Sequence, residues 1–178
     1  PWGPVAMGGC RFLNVLLGMS LGISAPLEAS ALGFSSSQLL VAGGVGQYIA
    51  GVTWFARGEA GISKRWQLAA ALAVMLGGLG LLGLVYRTLP LARPAKLAHE
   101  TTWWLLLALL AFTIVRWAVG AVSEPSPRRV QLAVTNAIWS LIVLDAAVVL
   151  LVCHFIWALG TVALLVPTML LGRWIRST

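Results

Sequence analysis

Charged residues are scarce in this chain. They fill 10% of its 178 positions, and only 5 are Asp or Glu, whereas an average globular protein is about 25% charged. That is too little polar surface to coat a water-facing globule of this size. Long polar tracts are also lacking. This excludes intrinsic disorder, because disordered segments are poor in apolar residues and 60% of this chain is hydrophobic. Cysteine and histidine number two each, Cys10 and Cys153, His99 and His154. Both cysteines lie inside apolar runs, where a free thiol behaves as a small hydrophobe, and no Cys/His spacing of the metal-site kind occurs. The opening Pro1-Trp2-Gly3-Pro4 shows no initiator Met, basic n-region or cleavage site. We therefore expect no signal peptide and a chain entered midway.

What is present points to the bilayer. Mean hydropathy is +0.93, with 19 Gly and 9 Trp. Glycine is common in membrane helices and tryptophan in their interfacial belts. The formal net charge of +7 comes from 12 Lys and Arg against the 5 acids. In so apolar a chain those cations belong to loops that set orientation and meet anionic headgroups, and nucleic acid is not an expected partner.

A membrane helix needs about 20 mostly apolar residues. Six segments qualify: Val5–Ser24, Gln38–Ala56, Gln67–Tyr86, Thr102–Val122, Val130–Val152 and Phe155–Gly172. Pro26, Pro90, Pro94, Pro125 and Pro127 fall between them, as helix breakers should, and Pro167 kinks the last. A hairpin near His154 separates the final two. A β-barrel is excluded because runs such as Leu105–Phe112 do not alternate in polarity. The expected fold is an all-α polytopic bundle, a single transmembrane domain over residues 1–178. Seven basic residues (Arg57, Lys64, Arg65, Arg128, Arg129, Arg173 and Arg176) fall on one side of this layout, against Arg87, Arg93 and Lys96 on the other. The positive-inside rule makes the richer side cytoplasmic. Both ends of the chain are then cytoplasmic, and the protein is integral to the cytoplasmic membrane.

Glycine clusters at 43, 44, 46 and 51, and at 77, 78, 80 and 83, predict close helix contact. Ionisable groups inside spans are costly, and three stand out: Arg11, Arg116 and Asp145. Arg11 and Asn14 share one helix face in the expected cytoplasmic half. Arg116, Asn136 and the connection Arg57–Arg65 lie towards the same end. Asp145 lies towards the other side, where a structural hydrogen bond is expected of it. Trp103 and Trp104 read as belt anchors. A cytoplasm-facing pocket for an anion fits this distribution, since guanidinium presents a planar fork of donors to phosphate.

The stretch Gly3-Pro4-Val5-Ala6-Met7-Gly8-Gly9-Cys10-Arg11-Phe12-Leu13-Asn14-Val15-Leu16-Leu17-Gly18-Met19-Ser20 resembles part of the UbiA superfamily of intramembrane prenyltransferases, and within it the EboC-like branch. A second stretch, Tyr48 to Ala60 with Arg57-Gly58-Glu59, and the tail from Arg128 to Thr178 are similar to the same family. The resemblance implies a nine-helix fold, of which this chain would be the C-terminal two-thirds. It implies transfer of a prenyl group from a prenyl diphosphate to a lipophilic or aromatic acceptor, with Mg²⁺ held against the diphosphate by two Asp-rich motifs. The first motif, N-D-x-x-D-x-x-x-D, does not occur here, and the second keeps one acid, Glu59. Carried onto this sequence, the resemblance makes Glu59 the catalytic and metal-binding carboxylate. Arg11, Asn14, Tyr48, Arg57, Lys64 and Arg65 become the substrate-binding set. The depleted second motif supports a different reading: a non-catalytic UbiA-like protein that binds lipid or serves as a structural subunit of a larger membrane complex.

Overall fold

The computed structural model describes residues 2–20, 33–57, 64–88, 100–152, 155–164 and 166–167. The described residues form six α-helices: α1 (Gly3–Ser20), α2 (Ser36–Ala56), α3 (Arg65–Thr88), α4 (Glu100–Ser123), α5 (Pro127–Val152) and α6 (Phe155–Ala163). Four of them, α2, α3, α4 and α5, are long and apolar enough to cross a membrane. The chain is thus a helical membrane protein. The observed ends lie within a few residues of those expected for these four spans. α1 and α6 are not among the four: α1 carries Arg11 near its middle, and α6 is 9 residues long. The last span, expected to run to Gly172, has its described helix end at Ala163 with Leu164 in a turn; its part beyond 167, the continuation of the first span to Ser24 and the hairpin at His154 lie outside the described residues.

Local chemistry explains where the helices start. Ser35 caps α2: its Oγ accepts from the Gln38 N–H at 3.3 Å, and Gln38 Oε1 accepts from the Ser35 N–H at 2.8 Å. This reciprocal box satisfies two backbone donors that a helix N-terminus otherwise leaves open. Pro127 opens α5 at a position where its missing N–H costs nothing, and Ser126 Oγ accepts from the Arg129 N–H.

Neighbouring helices run antiparallel. Gly8 lies against Gly46, and Gly3 against Arg57, where α1 meets α2. Gly44 lies against Gly78, and Gly51 against Ala71 and Met75, where α2 meets α3. Trp103 of α4 donates from Nε1 to the Leu82 carbonyl of α3 at 3.1 Å. Asn136 of α5 reaches the Thr113 carbonyl of α4 at 3.5 Å. Tyr48 of α2 donates its hydroxyl to the Ala137 carbonyl of α5 at 2.9 Å. Helices α2 to α5 therefore close a ring, with α1 laid on α2 and α6 against α5.

The glycines set how near the backbones come. A Cβ on Gly78 would stand 2.7 Å from the Gly44 carbonyl oxygen, and one on Gly8 would stand 2.7 Å from that of Gly46. Only hydrogen fits at either crossing, the contact by which small residues let membrane helices pack. Gly43 and Gly80, from the same clusters, face open space. α2 is enclosed on three sides and buries Val41, Val45, Tyr48, Val52 and Phe55. The belt role expected of Trp103 is corrected: the residue is fully buried. Its indole fills the α3–α4 contact, because a carbonyl within reach lets Trp satisfy its only donor inside the core. Trp104 is 38% exposed and lies across Gly83, with its Nε1 on Glu100.

Candidate functional site

Two polar features emerge from this bundle, and they differ in kind. The first is an ion pair between helices α1 and α5. Arg11 Nη2 of α1 donates to Asp145 Oδ2 of α5 at 2.8 Å, across 134 residues of sequence. Both side chains are about one-third exposed, at 38% and 30%. Arg11 Nε is buried without a hydrogen-bond partner. Placing Asp145 on the far side from Arg11 is therefore corrected: the two meet. The reason is electrostatic. A guanidinium and a carboxylate held in apolar helices lower each other's desolvation cost by pairing. Their opposite signs were the available signal, since both stand in otherwise apolar runs.

The second feature is a gathering of cations at one end of the bundle. Because the helices alternate in direction, the start of α1, the end of α2, the start of α3, the end of α4 and the start of α5 share that end. Arg57 caps the C-terminus of α2 and is exposed. Its guanidinium lies over Gly3, where an added Cβ would stand 2.6 Å from Nη2. Lys64 and Arg65 open α3 and are exposed. Arg116, Arg128 and Arg129 lie towards the same end and are exposed; Arg129 is bound to Glu124 at 2.7 Å. At the opposite end the described charges are balanced, Arg87 facing Glu100 at 3.5 Å.

The substrate-binding set expected from the sequence is divided by this geometry. Arg57, Lys64 and Arg65 come to one end. Arg11 is turned towards Asp145, and Asn14, three residues on, is exposed. Tyr48 is fully buried with its hydroxyl on Ala137, so it acts in the described bundle as a tie between α2 and α5. Asn136 is engaged by the Thr113 carbonyl. Glu59 lies outside the described residues.

Among the described residues no three His, Cys, Asp or Glu side chains converge on a point. Mg²⁺ asks for carboxylate oxygens in near-octahedral array, and the described donor set does not supply them. Between α2, α3, α4 and α5 lies an apolar cavity lined by Val52, Phe55, Met75, Ile114, Ala118 and Ala137 among others. It has room for about one water-sized sphere, and the side chains that line it are apolar. Comparison of the chain with protein-family models, with curated proteins and with solved structures finds no match.

Proposed function

We propose that this chain is part of a UbiA-like intramembrane prenyltransferase, which moves a prenyl group from a prenyl diphosphate to a lipophilic or aromatic acceptor. One observation carries the reading. Two of the stretches that resemble that family, Gly3–Ser20 and Tyr48–Ala60, are separate in sequence, yet α1 and α2 pack against each other and bring Arg57 over Gly3. On this reading α1 and the 155–172 stretch complete six spans of a nine-helix bundle, with the basic end at the cytoplasmic face.

The chemistry asks for cations where the leaving group departs. Arg57, Lys64 and Arg65 hold the diphosphate oxygens, so that negative charge accumulates against fixed positive charge as the C1–O bond breaks. The bonding pair leaves with the diphosphate, and the allylic carbon becomes cationic. The acceptor's nucleophilic atom forms the new bond to that carbon and gives up its proton. The reaction requires that water be kept from the cation. Glu59, beside Arg57 in sequence, is the carboxylate assigned to catalysis. No step is routed through a metal, because the described residues do not build its site.

The second reading, a non-catalytic UbiA-like lipid-binding or structural subunit, draws on the Arg11–Asp145 pair. There a membrane-embedded cation is satisfied inside the chain and is not held ready for phosphate.

The experiment is release of diphosphate from a panel of prenyl diphosphates by the full-length protein in lipid nanodiscs. The enzyme reading expects turnover, lowered by at least tenfold in Glu59→Ala and in the double variant Lys64→Ala/Arg65→Ala. Absence of turnover with every donor and acceptor class, from a folded protein, replaces it with the subunit reading.

A further inference from the structure

The outer face of α4 carries a pattern that prenyl transfer does not use. Leu105, Leu109, Phe112, Arg116 and Val119 recur at intervals of four and three residues, which places them on one line of a helix. The line faces outward. Leu105 is 70% exposed and Leu109 and Phe112 65% each, while the core is met by Trp103, Leu107, Leu110, Ile114 and Ala118 from the other side of the helix. Eleven residues separate Leu105 from Arg116, a rise of about 16 Å at 1.5 Å per residue. Arg116 is exposed, and among the described residues it makes no hydrogen bond or ion pair. It stands about 10 Å inside the end of α4, seven residues before Ser123, next to the exposed indole of Trp117. Arg128, at the start of α5, is exposed and likewise without a partner among the described residues. Arg129 differs, being held by Glu124 and by the Gly120 carbonyl.

We propose that this face binds one anionic phospholipid of the surrounding leaflet. An acyl chain lies along Leu105, Leu109 and Phe112, and the phosphate sits on the Arg116 fork. Each half of the pattern selects part of the ligand. An apolar track of this length, open to the bilayer, matches much of an extended acyl chain. A guanidinium with no acid to neutralise it among the described residues binds two phosphate oxygens in its own plane. Trp117 sets the depth, since indole favours the headgroup level. A zwitterionic headgroup brings its own ammonium, which competes with Arg116 and lowers the gain. The inference stands apart from the transfer reaction, because none of these residues was assigned to it.

The test is native mass spectrometry of the full-length protein released from nanodiscs of mixed phosphatidylglycerol and phosphatidylcholine. Phosphatidylglycerol is expected to be retained in preference to phosphatidylcholine. Arg116→Gln should weaken that retention about fivefold, the worth of one cation near an anionic surface, and Arg116→Lys should restore much of it. Arg87→Gln, which removes a cation paired with Glu100 at the opposite end, should leave retention unchanged. Equal retention in Arg116→Gln and the unsubstituted protein would overturn the proposal. So would equal loss in Arg87→Gln, retention of phosphatidylcholine as strong as that of phosphatidylglycerol, or displacement of the lipid from Arg116 by a prenyl diphosphate.

Discussion

Replacing Gly78 by alanine tests the contact on which the bundle is built. The new methyl carbon would stand 2.7 Å from the Gly44 carbonyl oxygen, 2.8 Å from the Tyr48 nitrogen and 3.1 Å from the Tyr48 Cα. All three are backbone atoms of α2, so no side chain can swing aside. Ordinary contact begins at 3.4 Å, and α2 must therefore withdraw by about 0.7 Å (3.4 − 2.7) or tilt by an equivalent amount. The withdrawal is resisted from beyond, because Tyr48 is fully buried and its hydroxyl is fixed on Ala137 of α5. Overpacking of this kind costs about 1–3 kcal/mol. Helix propensity opposes it, alanine being better than glycine by up to ~1 kcal/mol. The control removes that term. Gly80 lies two residues along the same helix and faces open space, so Gly80→Ala gains the propensity and meets no clash. The difference between the two variants is then the steric cost alone, about 1–3 kcal/mol. It is measured from SDS-induced unfolding midpoints in bicelles. Equal stability of Gly78→Ala and Gly80→Ala, or a greater loss in Gly80→Ala, would refute the argument from contact.

Three further substitutions probe the polar ties between helices. Arg11→Gln and Asp145→Asn each strand one charge in apolar surroundings. Because the side chains are about one-third exposed, the loss should fall between surface and buried pairs, about 1–3 kcal/mol. The double variant should cost clearly less than the sum of the singles in the same unfolding assay, and strict additivity would mean that the pair carries no coupling. Tyr48→Phe removes one buried hydrogen bond and keeps the ring, a loss of about 0.5–1.5 kcal/mol. An unchanged midpoint would show that the Ala137 carbonyl gains nothing from the hydroxyl.

The four long spans were legible because two physical signals coincide in them. Apolar runs of sufficient length are bounded by proline or charge, as at Arg57, Lys64, Arg87, Pro125 and Pro127. Glycine crowding also announced tight crossings, and Gly44, Gly51 and Gly78 make them. Composition did not distinguish these from Gly43 and Gly80, because that depends on which way each residue faces once the helices have turned against each other. Trp103 and Trp104 are adjacent and chemically identical, yet one fills the core and the other lies half-open over Gly83. The 100° between successive helix positions decides it, relative to a neighbour that the local sequence does not specify. The candidate site divides in the same way. The basic residues at the helix ends are fixed by chain direction, so Arg57, Lys64 and Arg65 could be placed together from the order of spans. The pairing of Arg11 with Asp145 depends on the register of two helices that are not neighbours in the chain, and reading along the sequence put them at different depths.

The 134 residues between Arg11 and Asp145 also order events in time. At about 5–20 residues per second, a ribosome needs roughly 7–27 s to make the acid after it has made the base. During that interval the cation of α1 is without its acid, and α1 is held by its packing on α2, at the Gly8–Gly46 crossing and at Gly3 against Arg57. Emergence of α5 then closes the circuit, so a helix made late neutralises one made early. A translational pause placed between the two codons should lengthen the life of the half-built bundle and expose α1 to quality-control proteolysis.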